Sequence, residues 1–198
     1  MKKKIILYLL IGLFLINTYF VVCDKTFFID NFFHNILYID NFSFLDSFMK
    51  FITFFGSSVC IVGLNILIII FFYKNKSINV FDLTGLMIIS TVLNNLIKLI
   101  IKRPRPEYIT IVEKTFSYPS GHTMASVTFY LLLTYFVYKS HLQKKYKYLL
   151  ISFFVFLTLL ILISRIYLGA HYFTDVFGGA LLSFIILISY ILYREKRL

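Results

Sequence analysis

The chain has 198 residues, of which 60% are hydrophobic and only 15% are charged. Soluble domains carry roughly 25% charged residues, so this composition excludes an ordinary soluble domain and indicates a membrane protein. The formal net charge is +11, but most of the basic residues flank apolar runs, so the charge does not indicate a nucleic-acid partner.

Six apolar runs are long enough to cross about 30 Å of hydrocarbon as helices. In chain order they cover residues 5–22, 51–73, 83–101, 121–138, 148–168 and 176–193. We therefore predict an all-α fold, a six-transmembrane-helix bundle that forms one domain over residues 1–198. The first run follows three lysines and lacks a small-residue cleavage site, which predicts an uncleaved signal anchor.

The segment after the first run, residues 24–50, is amphipathic and rich in Phe, with Asp30, Asp40 and Asp46 at intervals. This pattern predicts one or two helices that lie in the outer membrane interface. The sequence leaves open whether the segment forms a lid.

The basic residues predict the orientation of the bundle, because short cytoplasmic loops retain Lys and Arg. With the N-terminus inside, the inner segments hold twelve of the 20 basic residues and only two acidic residues, Asp82 and Glu195. Both termini are therefore predicted to be cytoplasmic.

The third run is the least apolar of the six. Its Asn94 and Lys98 are spaced i,i+4, so they share a helix face that is predicted to point into the bundle. Beyond the run, Lys102 and Arg103 are predicted to be solvated or to face lipid headgroups. The two cysteines, Cys23 and Cys60, fit no metal or redox spacing and are predicted to be buried apolar side chains.

Three polar segments interrupt the apolar sequence: KLIIKRPRPE at 98–107, YPSGHTMAS at 118–126 and SRIYLGAHYFTD at 164–175. The predicted topology places all three at the outer ends of the last four runs, where they can converge. Ionisable groups at membrane depth are costly, so their presence indicates a functional site.

The first chemical signal is a set of three cations, Lys98, Arg105 and Arg165. Such a cluster needs an anion, and guanidinium groups match phosphate oxygens. Ser120 and Gly121 begin the fourth run, where a capping hydroxyl and free helix N–H groups favour phosphate binding. These residues predict a phosphate-binding site.

The second signal is a pair of histidines. His171 and Asp175 are spaced i,i+4, so the carboxylate can orient the imidazole and leave its other nitrogen free to attack. His122 lies beside the phosphate site and can protonate a leaving oxygen. The pattern predicts phosphoryl transfer without a metal or any other cofactor.

The three segments contain K-x6-RP, PSGH and SR-x5-H-x3-D, in that order, over residues 98–175. The chain resembles the type 2 phosphatidic acid phosphatase (PAP2) family, the integral-membrane branch that shares its site with vanadium haloperoxidases. The resemblance implies that His171 forms a phosphohistidine, that Asp175 orients it and that His122 is the general acid. It implies that the phosphoryl oxygens are held by Lys98, Arg105, Ser120, Gly121 and Arg165.

The expected function is therefore hydrolysis of a lipid phosphate or lipid pyrophosphate at the extracytoplasmic face of a bacterial plasma membrane. Phosphatidylglycerophosphate or phosphatidic acid and undecaprenyl pyrophosphate remain alternative substrates, with a lipid A phosphate as a weaker third. A non-catalytic carrier of phosphate lipids is an alternative that has no need of the His–Asp pair. A haloperoxidase is disfavoured by the six spans. The expected partners are the bilayer and the lipid, with no nucleic acid and no obligatory protein.

Overall fold

The structure, a computed structural model, describes residues 1–37, 43–73, 79–107 and 115–197. Over these residues the chain forms eight α-helices and no strand, which confirms the all-α prediction. The helices in chain order are α1 (Lys2–Val22), α2 (Phe27–Leu37), α3 (Ser43–Phe54), α4 (Ser58–Phe72), α5 (Val80–Ile101), α6 (Gly121–Lys139), α7 (Lys144–Tyr167) and α8 (Phe173–Arg197).

Local sequence signals set several of the helix ends. Ser57, Asn79 and Ser120 cap α4, α5 and α6, and each side-chain oxygen accepts a hydrogen bond from a backbone N–H three residues on. The C-terminus of α5 is closed by Lys102, whose φ of 51° places it in the left-handed region. That turn redirects the chain at the start of the first polar segment.

Helix α6 forms the centre of the bundle and packs against α4, α5, α7 and α8. Its Val127, Phe129 and Leu132 are almost completely buried and contact core residues such as Leu83 of α5 and Ile161 of α7. The helix also buries hydroxyl groups, which hydrogen-bond to their own helix or to neighbouring helices. The residues that begin α6 are therefore held inside the bundle.

Four of the described helices are long and apolar enough to cross a membrane, namely α1, α5, α7 and α8. Helices α3 and α4 are bent by 45° relative to each other and would form a fifth span if they act together. The predicted run 51–73 is therefore not one continuous helix. It breaks at residues 55–57, where Gly56 approaches α7 so closely that an added Cβ would lie 2.7 Å from Ile161 Cγ2.

The segment after α1 contains two helices, in agreement with the prediction of one or two. Helix α2 packs against α8, with the rings of Phe33 and Phe173 stacked 3.7 Å apart. Helix α3 packs against α7, where Tyr167 donates a hydrogen bond to Asp46 at 2.7 Å. Asp40, the third acidic residue of the predicted pattern, lies outside the described residues.

The two cysteines are free thiols. Cys60 is partly buried, but Cys23 is exposed, so the predicted burial is wrong for Cys23. Cys23 is the C-cap of α1, in the short connection to α2, and its side chain does not pack into the core.

Helix α1 packs against α8 and also contacts Tyr118, the residue before the PSGH motif. The Tyr118 hydroxyl is 2.7 Å from Thr18 Oγ1 and accepts a hydrogen bond from Asn17 Nδ2 at 3.2 Å. The Tyr118 ring packs against α8, where a Cβ at Gly178 would lie 2.6 Å from its hydroxyl oxygen. Gly178 is therefore needed for the close approach of Tyr118 to α8.

We expect Gly178→Ala to destabilise the protein by about 1–3 kcal/mol, because the added methyl group overpacks the contact with Tyr118. Gly85→Ala is the matched control, since a Cβ at Gly85 meets no atom within 4 Å. The control should be neutral or stabilising by up to about 1 kcal/mol, as for glycine replaced inside a helix. Thermal unfolding in detergent measures both, and equal melting temperatures for the two variants would contradict the packing argument.

Candidate active site

The turn between α7 and α8 places His171. Gly169 has a φ of 63°, a left-handed conformation that a residue with a Cβ rarely adopts, and it reverses the chain directly after α7. The His171 backbone N–H then donates to the carbonyl of Arg165 at 3.2 Å. This geometry leaves His171 only 1% exposed, inside the bundle.

The His171 ring and the Asp175 carboxylate face each other, as the i,i+4 spacing predicts, but at a distance of 3.6 Å between Nδ1 and Oδ2. That distance is too long for a hydrogen bond. Ser117 lies between them, with its Oγ donating to Asp175 Oδ2 and lying 3.3 Å from His171 Nδ1. Because the single hydroxyl proton goes to the carboxylate, Ser117 Oγ is left to accept the Nδ1 proton.

Ser117 is therefore a site residue that the sequence analysis missed. It directly precedes the YPSGH stretch, and a hydroxyl so close to the motif was the only available signal. Its backbone N–H donates to the carbonyl of Arg103 at 2.9 Å, which holds the residue in place. The consequence for His171 is that Nδ1 carries the proton and Nε2 keeps its lone pair.

The Nε2 atom faces the cations. Arg105 Nη1 lies 3.3 Å from it and also donates to the carbonyl of Ala170 at 2.7 Å. Lys98 is buried and its Nζ donates to the carbonyl of Phe116. Arg165 is completely buried and donates to Thr53 Oγ1 at 2.8 Å.

The N-terminus of α6 completes the site. Ser120 Oγ accepts from the backbone N–H of Thr123, and its own N–H donates to the carbonyl of Asp175 at 3.1 Å, which joins α6 to α8. Asn94 is buried and donates to the carbonyl of Pro119 at 3.0 Å. The burial of Asn94 and Lys98 confirms that this face of α5 points into the bundle.

A cavity of about 250 Å³ lies between these groups. Five predicted site residues line it, namely Lys98, Arg105, Gly121, His122 and His171. The other three, Ser120, Arg165 and Asp175, do not line the cavity and are fully buried. No described residue of the segment 24–50 lines this cavity.

Arg103 does not face solvent or headgroups, so that prediction is wrong. Its side chain is 9% exposed and forms ion pairs with Asp30 and Asp175. The left-handed turn at Lys102 is the physical reason, because it directs Arg103 inward while Lys102 itself stays exposed, as predicted. Arg103 thereby connects α2 to the candidate catalytic pair.

The comparison with known sequence families gives a match to the PAP2 superfamily over residues 79–198, more than half of the chain. This chain belongs to the PAP2 superfamily. The match includes all three polar segments, so the resemblance carried by K-x6-RP, PSGH and SR-x5-H-x3-D is confirmed.

Individual PAP2 proteins agree with this assignment. The chain is 36% identical to phosphatidylglycerophosphatase B of Bacillus subtilis (strain 168) over 143 residues, which are 68% of each protein. Its fold matches the crystal structure of a transmembrane PAP2-type phosphatidylglycerolphosphate phosphatase from Bacillus subtilis with a TM-score of 0.86 and 28% identity. The match covers 99% of this chain and 98% of that chain.

A second solved structure, Aquifex aeolicus LpxE, matches with a TM-score of 0.64 and 26% identity, covering 79% of this chain and 92% of that one. Together with its apolar helices, these matches identify the chain as an integral membrane protein of the PAP2 superfamily.

Burial and the positive charges of Arg165, Arg105 and Lys98 hold the pKa of the His171 imidazole well below its ordinary value of 6.5. The neutral ring therefore persists at pH values where an exposed histidine is already protonated. We expect nitrogen NMR of the histidine-labelled protein to show the His171 ring still neutral at pH 6.5, with Nδ1 protonated.

The spectrum of His171→Gln assigns the signal. A His171 titration midpoint at or above the ordinary value of 6.5 would contradict the effect of burial and the neighbouring cations.

Proposed function

We propose that this protein is a lipid phosphatase that hydrolyses a phosphate monoester or pyrophosphate headgroup through a phosphohistidine intermediate. The observation that carries the proposal is the position of His171, whose Nε2 faces a cavity between Lys98 and Arg105 while Nδ1 faces Ser117. A histidine held in this way is a nucleophile directed at a bound phosphoryl group.

In the first step, Lys98, Arg105 and the N-terminus of α6 bind the phosphoryl oxygens. The Nε2 lone pair of His171 forms a bond to phosphorus, and the bond from phosphorus to the leaving oxygen breaks. His122, which lines the same cavity, is protonated when the anionic phosphate is bound beside it, and it gives that proton to the leaving oxygen. Arg165 adds positive charge from behind the cavity, which stabilises the transferred phosphoryl group.

In the second step, water attacks the phosphohistidine and the N–P bond breaks. His122, now neutral, accepts a proton from the water, which restores its starting state. During both steps the His171 ring carries positive charge, which Ser117 and the Asp175 carboxylate stabilise. Only residues of this chain and water enter the scheme, with no cofactor and no partner protein.

An apolar groove of about 350 Å³ supports a lipid as the substrate. The groove runs between α4 and α5, and it shares Ser58, Thr91 and Ala125 with the cavity that contains His122 and His171. A hydrocarbon chain in the groove would leave the phosphate in the polar cavity. Such a division of apolar and polar contacts suits an amphipathic substrate.

The similarity to phosphatidylglycerophosphatase B favours phosphatidylglycerophosphate or the related phosphatidic acid. Undecaprenyl pyrophosphate remains the second candidate, because the cavity residues contact the phosphoryl group and not the tail. The six apolar runs support six spans. The lysines and arginines in the inner segments support cytoplasmic termini and an extracytoplasmic site in a bacterial plasma membrane. In this proposal, residues 1–198 form one domain.

We expect the purified protein to release phosphate from at least one of phosphatidylglycerophosphate, phosphatidic acid and undecaprenyl pyrophosphate with EDTA present. His171→Ala removes the nucleophile, so its rate should fall by at least about 10³-fold. His141→Ala, a change at an exposed loop histidine, should retain wild-type activity. Phosphate release that survives His171→Ala, or that EDTA abolishes, would refute the phosphohistidine mechanism.

The orientation can be measured by cysteine labelling in intact cells. After Cys23→Ser and Cys60→Ser, single cysteines are introduced as Glu107→Cys beside the site and Lys145→Cys at the start of α7, both at exposed positions. A membrane-impermeant maleimide should label residue 107 and should label residue 145 only after lysis. The opposite pattern would place the site on the cytoplasmic side.

A further inference from the structure

Arg103 is a buried cation that has no part in the mechanism above. It does not line the cavity that contains His122 and His171, although it lines a neighbouring cavity with Lys98 and Arg105. Its side chain binds two carboxylates, Asp175 of α8 and Asp30 of α2. We infer that Arg103 and Asp30 are positioning residues for the reaction, which fix the Asp175 carboxylate so that Ser117 and His171 keep their catalytic orientation. The inference rests on the proposed function, because it concerns how that reaction is supported.

The guanidinium group of Arg103 bridges two helices. Its Nη1 donates to Asp175 Oδ1 at 2.5 Å and to Thr174 Oγ1 at 2.8 Å. Its Nη2 donates to Asp30 Oδ2 and to Thr26 Oγ1, both at 2.7 Å. Two separate donor nitrogens in one plane are needed for this arrangement, and a lysine has only one.

The face of the guanidinium group is also covered. Its central carbon lies 4.2 Å from the centre of the Tyr172 ring, a distance at which a cation and an aromatic face attract each other. Tyr172 is the residue between His171 and α8. Arg103 therefore contacts the catalytic turn through both Tyr172 and Asp175.

Asp30 is the second carboxylate that binds Arg103, and it is only 2% exposed. Its Oδ1 accepts from the backbone N–H of Thr174 at 2.9 Å, in the first turn of α8. A carboxylate at that position satisfies a free helix N–H and interacts favourably with the helix dipole. Asp30 thus fixes Arg103 and the start of α8 together.

As a consequence, the two carboxylate oxygens of Asp175 bind different partners. Oδ1 is bound by Arg103, and Oδ2 accepts from Ser117 Oγ and from the Tyr172 N–H at 3.0 Å. A carboxylate bound at both oxygens cannot rotate, so the hydroxyl of Ser117 stays directed at Oδ2 and its oxygen stays available to His171 Nδ1. The orientation of Nε2 depends on this arrangement.

The charges point to the same role. Asp30, Arg103 and Asp175 together carry one net negative charge in a buried region. That charge stabilises the positive ring of His171 once the N–P bond has formed, whereas neutral His171 gains little from it. The benefit therefore appears in the chemical steps and not in the binding of the phosphate, which Lys98 and Arg105 contact.

The test compares Arg103→Lys and Asp30→Asn with wild type and with Lys102→Asn as purified full-length protein. Lys102→Asn is the matched control, because it removes a positive charge from an exposed neighbour, and asparagine tolerates the φ of 51° found there. For each protein, kcat and KM are measured on the lipid phosphate that the wild type hydrolyses fastest. Inhibition by inorganic phosphate and the melting temperature are measured in parallel.

We expect kcat to fall by about 10- to 100-fold in both Arg103→Lys and Asp30→Asn, as when the partner of a functional histidine is removed. KM and the inhibition constant for inorganic phosphate should stay within about twofold of wild type, because the phosphate-binding groups are unchanged. Lys102→Asn should match wild type in every measurement. A structural role alone would lower the melting temperature without this separation of kcat from phosphate binding.

Wild-type kcat in a folded Asp30→Asn protein would overturn the inference, and so would a fall in phosphate binding with kcat unchanged. If Arg103→Lys does not fold, Asp30→Asn decides in the same way, since asparagine keeps the shape of aspartate. A wild type that releases no phosphate from any of the three lipids would instead refute the proposed function.

Discussion

A buried carboxylate must be matched by positive charge and hydrogen bonds, and the site in this bundle depends on that constraint at Asp175. Its side chain is completely buried, where an isolated ionised carboxylate would be prohibitively costly. Arg103 supplies the charge, while Ser117 and the Tyr172 N–H supply hydrogen bonds. The residues after α5, before α6 and before α8 all contribute to this match, so the geometry of the candidate site is coupled to the packing of these helix ends.

The sequence predicted most of the helices and the clustering of the candidate site residues, because both have local signals. Apolar runs predicted most of the helices, and the motif spacing predicted which eight side chains the structure brings to one region of the bundle. The break in the run 51–73 also had a local signal, the Gly56-Ser57 pair, since serine caps α4 and glycine permits close packing against α7. The signal was not recognised because the residues on both sides of the pair are apolar and read as one continuous run.

The contacts of Arg103 had no such signal. Asp30 lies 73 positions away from it and Asp175 lies 72 positions away on the other side. Whether a basic residue after α5 faces outward or inward depends on the single left-handed turn at Lys102, which apolar periodicity does not reveal. Ser117 was missed for a related reason, because its role appears only when the carboxylate and the imidazole are found 3.6 Å apart.

The order in which the network is encoded has a consequence for biogenesis. Asp30 is synthesised first, Arg103 follows, and His171 and Asp175 arrive only with the last helix. Chains are made from the N-terminus, so Asp30 is already present when Arg103 emerges, and the two can pair before synthesis ends. The ion pair that supports Asp175 can therefore form before the candidate nucleophile and the last helix have been synthesised.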